Sequence, residues 1–68
     1  MTLQITISTI NDTDFDGDAI SFKAAEVLLD EENKYIGGSY DAGTSDADIK
    51  SDIRTKLTNL GYTWDDEI

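Results

Sequence analysis

Residues 3 to 10, LQITISTI, set Leu3, Ile5 and Ile7 against Gln4, Thr6 and Ser8. A period of two carried by β-branched side chains predicts a strand with one buried face. The same alternation returns in AISFKAAEVLLD, with Ile20, Phe22 and Ala24 on one side, before the apolar phase moves to Val27 and Leu29. A bulge near Ala24–Ala25 accounts for the shift, because one extra residue exchanges the two faces. A helix over residues 23–30 is the competing reading. DEEN, residues 30–33, is polar and reads as a connection to KYIGGSY, a third strand carrying Tyr35, Ile36 and Tyr40 and weakened at Gly37–Gly38, where a second bulge or a close-packing point is expected.

The period then changes. GTSDADIKSDIRTKLTNLG offers Thr44 or Ser45 as an N-cap, Asp46 and Asp48 in the first turn, Arg54 and Lys56 further on, and Gly61 just past the end. Ile49, Ile53, Leu57 and Leu60 recur at helical spacing along one narrow stripe, so a helix is expected from about residue 46 to 60. YTW adds a short fourth strand or folds Tyr62 and Trp64 over the core, and residues 65–68, DDEI, read as a solvated acidic tail.

These elements predict a single α+β domain over residues 1–68: a small antiparallel β-meander of three strands, with a short C-terminal fourth, and one amphipathic helix packed on one face. Its expected core is Leu3, Ile5, Ile7, Ile20, Phe22, Val27, Ile36, Ile49, Ile53, Leu57, Leu60 and Trp64. A domain of this size buries only about 60% of the surface its unfolded chain exposes. Neither cysteine nor histidine is present, so disulfides and the usual zinc ligands are unavailable as staples. The core, self-association or a partner must supply the stability.

Charge changes the picture most. Fifteen acidic residues against five basic ones give a formal net charge of −10. Direct contact with nucleic acid or an anionic membrane is therefore disfavoured, and basic surfaces or cations are the expected partners. The plainer reading is that the aspartates keep a small domain soluble. No basic and apolar leader opens the chain, and no run approaches the roughly 20 apolar residues that span a bilayer. A soluble, unexported protein is expected.

The aspartates concentrate in NDTDFDGD, residues 11–18. Asp12, Asp14, Asp16 and Gly17 match the first half of a calcium-binding EF-hand loop, but Lys23 stands where that loop needs a bidentate glutamate. The preferred reading is a hairpin turn built on Asp16–Gly17, with weak calcium binding by Asp12, Asp14, Asp16 and Asp18 as the alternative; no other cofactor is expected. In a meander this turn shares one end of the sheet with Asp41, Asp46 and Asp48, while Asp30, Glu31, Glu32, Asp65, Asp66 and Glu67 gather at the other. The candidate partner-binding residues are accordingly Asp12, Asp14, Asp16, Asp18, Asp41, Asp46 and Asp48, with Trp64 as an aromatic anchor. Without histidine or cysteine, without a nucleophile elbow, and with YIGGSY lacking phosphate-loop spacing, the chain is expected not to be an enzyme.

The ending SDADIKSDIRTKLTNLGYTW resembles that of short proteins encoded by tailed phages, in which strands lead into one amphipathic helix closed by a Gly–Tyr turn; the resemblance covers residues 44–64. It implies a virion or assembly component that joins neighbouring subunits through protein–protein contact, found in the virion or the host cytoplasm, with self-association open to it. The alternative it implies is an acidic nucleic-acid mimic, similar in kind to anti-CRISPR inhibitors of host defence, that blocks a basic nucleic-acid-binding host protein.

Overall fold

A computed structural model describes residues 1–68 as an α+β domain of one mixed sheet and one helix. β1 (Thr2–Thr13) and β2 (Ala19–Leu29) form an antiparallel hairpin; β3 (Glu32–Asn33) and β4 (Ser39–Asp41) follow, then α1 (Asp46–Asn59) and β5 (Asp66–Glu67). β3 and β4 both pair with the outer side of β2, and β5 pairs in parallel with the start of β1.

The β1–β2 register is unbroken from Leu3↔Leu29 to Thr13↔Ala19, so there is no bulge at Ala24–Ala25, and residues 23–30 are not helical. In an unbroken ladder, partners share a face. Leu3, Ile5, Val27 and Leu29 therefore face α1 and are buried with Ile49, Ile53 and Leu57. Ile10, Ile20 and Phe22 lie on the opposite face and leave the core. Element lengths explain this. Fourteen helical residues extend about 21 Å at 1.5 Å each. Twelve strand residues extend about 40 Å at 3.3 Å each. The helix covers only the lower half of the hairpin, and the rest projects as an arm that stretches the molecule to 44 × 20 × 20 Å.

Beyond β2 the third strand is split. Asp30 and Glu31, both at positive φ (51° and 68°), make a two-residue turn that pairs Leu29 with Glu32. Tyr35, at φ 40°, and Gly37–Gly38 then carry the chain past β2 without a ladder until Ser39 pairs with Ala24. The expected strand over residues 34–40 is thus corrected: β3 lies before it, in the 30–33 stretch read as a connection, and only Ser39 and Tyr40 of 34–40 are strand, because a backbone turned to positive φ at Tyr35 cannot continue one.

α1 begins as expected: Ser45 is the N-cap, its Oγ accepting the Asp48 N–H at 3.1 Å. The helix ends at Asn59 and its buried stripe at Leu57, since Leu60 is the C-cap and stands 61% exposed. Ile7, Ile36, Tyr62 and Trp64 pack partly buried against the core.

Residues 65–68 are not a free tail. The N–H groups of Asp65 and Ile68 donate to the carbonyls of Met1 and Leu3, both at 2.8 Å. Asp65 holds the terminal ammonium of Met1 at 2.7 Å, and Arg54 on α1 makes a two-point pair with Glu67. Only the side chains stay in solvent, because β1 offers an open edge on which the backbone can pair. The hydrogen bond from the Met1 ammonium holds the Asp65 carboxyl below its ordinary range, and that from Arg54 does the same for Glu67. A carboxyl with a lowered folded-state value stabilises the fold above its unfolded value and loses that contribution as pH falls through the folded one. Acid titration followed by backbone NMR should therefore release β5, seen at Asp65 and Ile68, while Leu3 and Val27 keep their native positions.

Candidate functional site

The tip of the arm is a three-residue hairpin loop rather than a two-residue turn on Asp16–Gly17. The Gly17 N–H donates to the Asp14 carbonyl at 3.1 Å, and the Asp14 N–H to the Asp18 carbonyl at 2.8 Å, with Gly17 at φ 87°. This is a type I turn closed by a left-handed residue, the role for which glycine has no steric penalty. Asp14 Oδ1 accepts the N–H groups of Asp16 and Asp18, both at 2.9 Å, and Asp12 Oδ1 accepts that of Thr13 at 2.8 Å. Two of the four loop carboxylates are thus engaged with backbone. Nowhere in the molecule do three or more carboxylates converge into a cluster able to hold a metal ion. Phe15 projects fully exposed from the loop.

The expected acidic end is strung out along the arm. Asp41 pairs with Phe22, four residues down β2 from Asp18, a separation of about 13 Å at strand rise. Asp46 and Asp48 sit at the N-terminus of α1 with the cap. Lys23, the residue that broke the calcium pattern, closes this junction: its ammonium donates to the Thr44 carbonyl at 2.7 Å and to Asp46 Oδ1 at 3.1 Å. Trp64 is not brought to the aspartates. It packs against the core and borders Ser51, Arg54, Thr55, Thr58 and Asn59 on α1.

The ion pairs lie away from the tip of the arm. Around the base, the Met1 ammonium, Lys34 and Arg54 pair with Asp65, Glu32 and Glu67. Asp12, Asp14, Asp16, Asp18, Asp41 and Asp48 take part in no ion pair. Asp12, Asp14, Asp16 and Asp18 at the tip of the arm thus form an acidic stretch with no paired cation, while Glu26, Asp30, Glu31 and Asp66 stand unpaired elsewhere.

Two further features of the arm follow from the register. On the face away from α1, Ile10 pairs with Phe22 and Asp12 with Ile20, giving a short apolar strip, Ile10 and Ile20 being 38% and 39% exposed, bordered by Asp12 and Asp41. On the outer side of β1, β5 covers only Thr2 and Leu3. The Asp30 N–H donates to the Thr2 carbonyl, whereas the Leu3 carbonyl accepts from Ile68 outside the hairpin. Even-numbered residues of β1 therefore bond to β2, and odd-numbered ones direct their backbone groups outward. From Ile5 to Thr13 that edge is open.

One cluster escaped the sequence reading. The Tyr40 hydroxyl donates to Asp52 Oδ2 at 2.8 Å, Lys56 pairs with the same oxygen at 2.9 Å, and the Lys56 ammonium lies over the Tyr40 ring. Desolvation and the bond to Asp52 raise the Tyr40 hydroxyl above its ordinary range, while the hydrogen bonds from Lys56 and then Tyr40 lower the Asp52 carboxyl. Asp52 and Lys56 are four residues apart on the helix, a spacing visible in the sequence; that Tyr40 joins them depends on where β4 lands. The cluster fastens β4 to α1. Within the same cluster the hydrogen bond to Asp52 raises Lys56, a contact inside α1, and the remaining shifted groups, Met1, Arg54, Asp65 and Glu67, belong to the pairs at the base.

Compared with known protein families, curated proteins and solved structures, the chain matches none.

Proposed function

We propose that this chain is a non-catalytic protein–protein interaction module, a virion or assembly component of the tailed-phage kind that residues 44–64 resemble, and that it engages its partner through the β1–β2 arm. The observation that carries this reading is the extent of hairpin beyond the helix. It presents an open strand edge, an apolar strip and an exposed Phe15 on one projecting element. Open edges and apolar patches are surfaces on which another chain gains contacts. A second reading, an acidic mimic that occupies a basic nucleic-acid-binding host protein, is favoured by the arm carboxylates that no cation neutralises.

The two readings separate on capture of the tagged chain from source-cell lysates, with and without phage infection, at low and high salt. Head or tail proteins retained at high salt are the expected result. A basic nucleic-acid-binding host protein, lost at high salt and weakened by Asp12→Asn, Asp14→Asn and Asp16→Asn together, would replace the first reading with the second.

A further inference from the structure

The open edge of β1 runs from Ile5 to Thr13, ITISTINDT, and contains one charge, Asp12, and neither lysine nor proline. Natural edge strands are commonly protected by such residues. Here the outward backbone groups belong to Ile5, Ile7, Thr9, Asn11 and Thr13, and the edge is stopped at one end by β5 and at the other by the Phe15–Gly17 loop. A strand added to this edge would set one residue beside the partly buried Ile7 on the helix side, and another beside Ile10 on the far side, extending the Phe22–Ile10 strip. Past Thr13 it would run alongside Asp14, Asp16 and Asp18, which no cation of this chain reaches.

We propose that the Ile5–Thr13 edge of β1 receives an extended segment of a basic protein as an added strand, with apolar residues opposite Ile7 and Ile10 and lysines or arginines beside the aspartate loop. The proposal rests on the protein-interaction reading and specifies the chemistry of the partner. Charge selects this occupant over a second copy of the chain, because two copies at −10 each repel and would bring no cation to the loop. Main-chain hydrogen bonds supply the attachment, and the side-chain pattern and the basic end supply the selectivity.

The test uses the full chain and two synthetic peptides, KKKTVTTVTV and EEETVTTVTV, laid antiparallel to β1 so that the charged end meets the loop. The expected result is that the lysine peptide shifts the NMR amide signals of Ile5, Ile7, Thr9, Asn11 and Thr13, and that the glutamate peptide binds at least about tenfold more weakly. Asp16→Asn with Asp18→Asn should shrink that preference and flatten its dependence on salt. Thr9→Pro should abolish binding while the β1–β2 ladder stays intact, because the N–H it removes points outward. Equal affinity for the two peptides, shifts confined to another surface, binding that survives Thr9→Pro, or no binding at millimolar peptide would each overturn the proposal. So would concentration-dependent protection of the same edge without peptide, which would assign it to a second copy. Capture of phage proteins by a chain that ignores the lysine peptide would leave the interaction reading standing and remove only the added strand.

Discussion

Ile53→Ala is expected to leave the chain largely unfolded at room temperature. Ile53 is fully buried at the centre of the helix stripe, among only seven residues that make up the core. Truncating a buried isoleucine removes its transfer free energy and leaves a cavity, together costing about 2–5 kcal/mol. A domain of this length has roughly 3–10 kcal/mol in total at the usual stability per residue. A core of seven residues puts this domain toward the lower end of that range, where the loss is comparable to the whole. Urea unfolding followed by circular dichroism should show the midpoint collapse toward zero, while Leu60→Ala, at a site that is 61% exposed, should stay within about 0.5 kcal/mol of the parent. Equal losses at the two positions would mean that the stripe continues through Leu60 in solution.

Gly37→Ala should be the next most damaging change. A Cβ built there would stand 2.8 Å from the Ala25 carbonyl oxygen and 3.4 Å from the Ala25 Cβ, and the nearer atom is backbone that cannot swing aside. Either the 34–38 segment lifts off β2 or β2 itself bends, for an expected loss of about 1–3 kcal/mol in the manner of an overpacked core. Gly43→Ala provides the comparison, since a Cβ there meets nothing within 4 Å. It should be neutral or slightly stabilising, because alanine restricts the unfolded chain. If Gly37→Ala matched Gly43→Ala, the close passage over Ala25 would not exist in solution.

Gly37 also illustrates what the sequence could and could not disclose. Its glycine pair marks either a bulge or a close-packing point, which was readable, and the close passage against the Ala25 carbonyl is the alternative the fold adopts at Gly37; nothing local names Ala25 as the neighbour. The two apolar phases of β2 were likewise visible in Ile20–Phe22 and Val27–Leu29. A bulge reconciled them with a single buried face; the structure reconciles them by letting the distal part of the strand outrun the helix. Comparing strand length with helix length was the available clue. The helix itself was legible from Ser45 to Leu57 because cap, first-turn aspartates and stripe agree with one another. Residues 65–68 were misread as a tail because their pairing is with the far end of the chain, and no local pattern encodes a partner that distant. Of the candidate site, the aspartates of the arm were found and their spread was not. Trp64 was assigned by residue type alone, and the fold puts it elsewhere.

The parallel contact between β1 and β5 has a consequence in time. Met1 and Asp65 are 64 residues apart, whereas the arm is closed locally by the Phe15–Gly17 loop. Loop-closure entropy and the dependence of rates on contact separation place these two events at opposite ends of the folding reaction. The hairpin can zip early from its acidic loop, while β5 closes last, after α1 has docked and carried Arg54 to the site that Glu67 will occupy. Transition-state mapping should then find the hairpin partly formed and β5 still open, so substitutions in β5 would hasten unfolding and leave the folding rate almost unchanged.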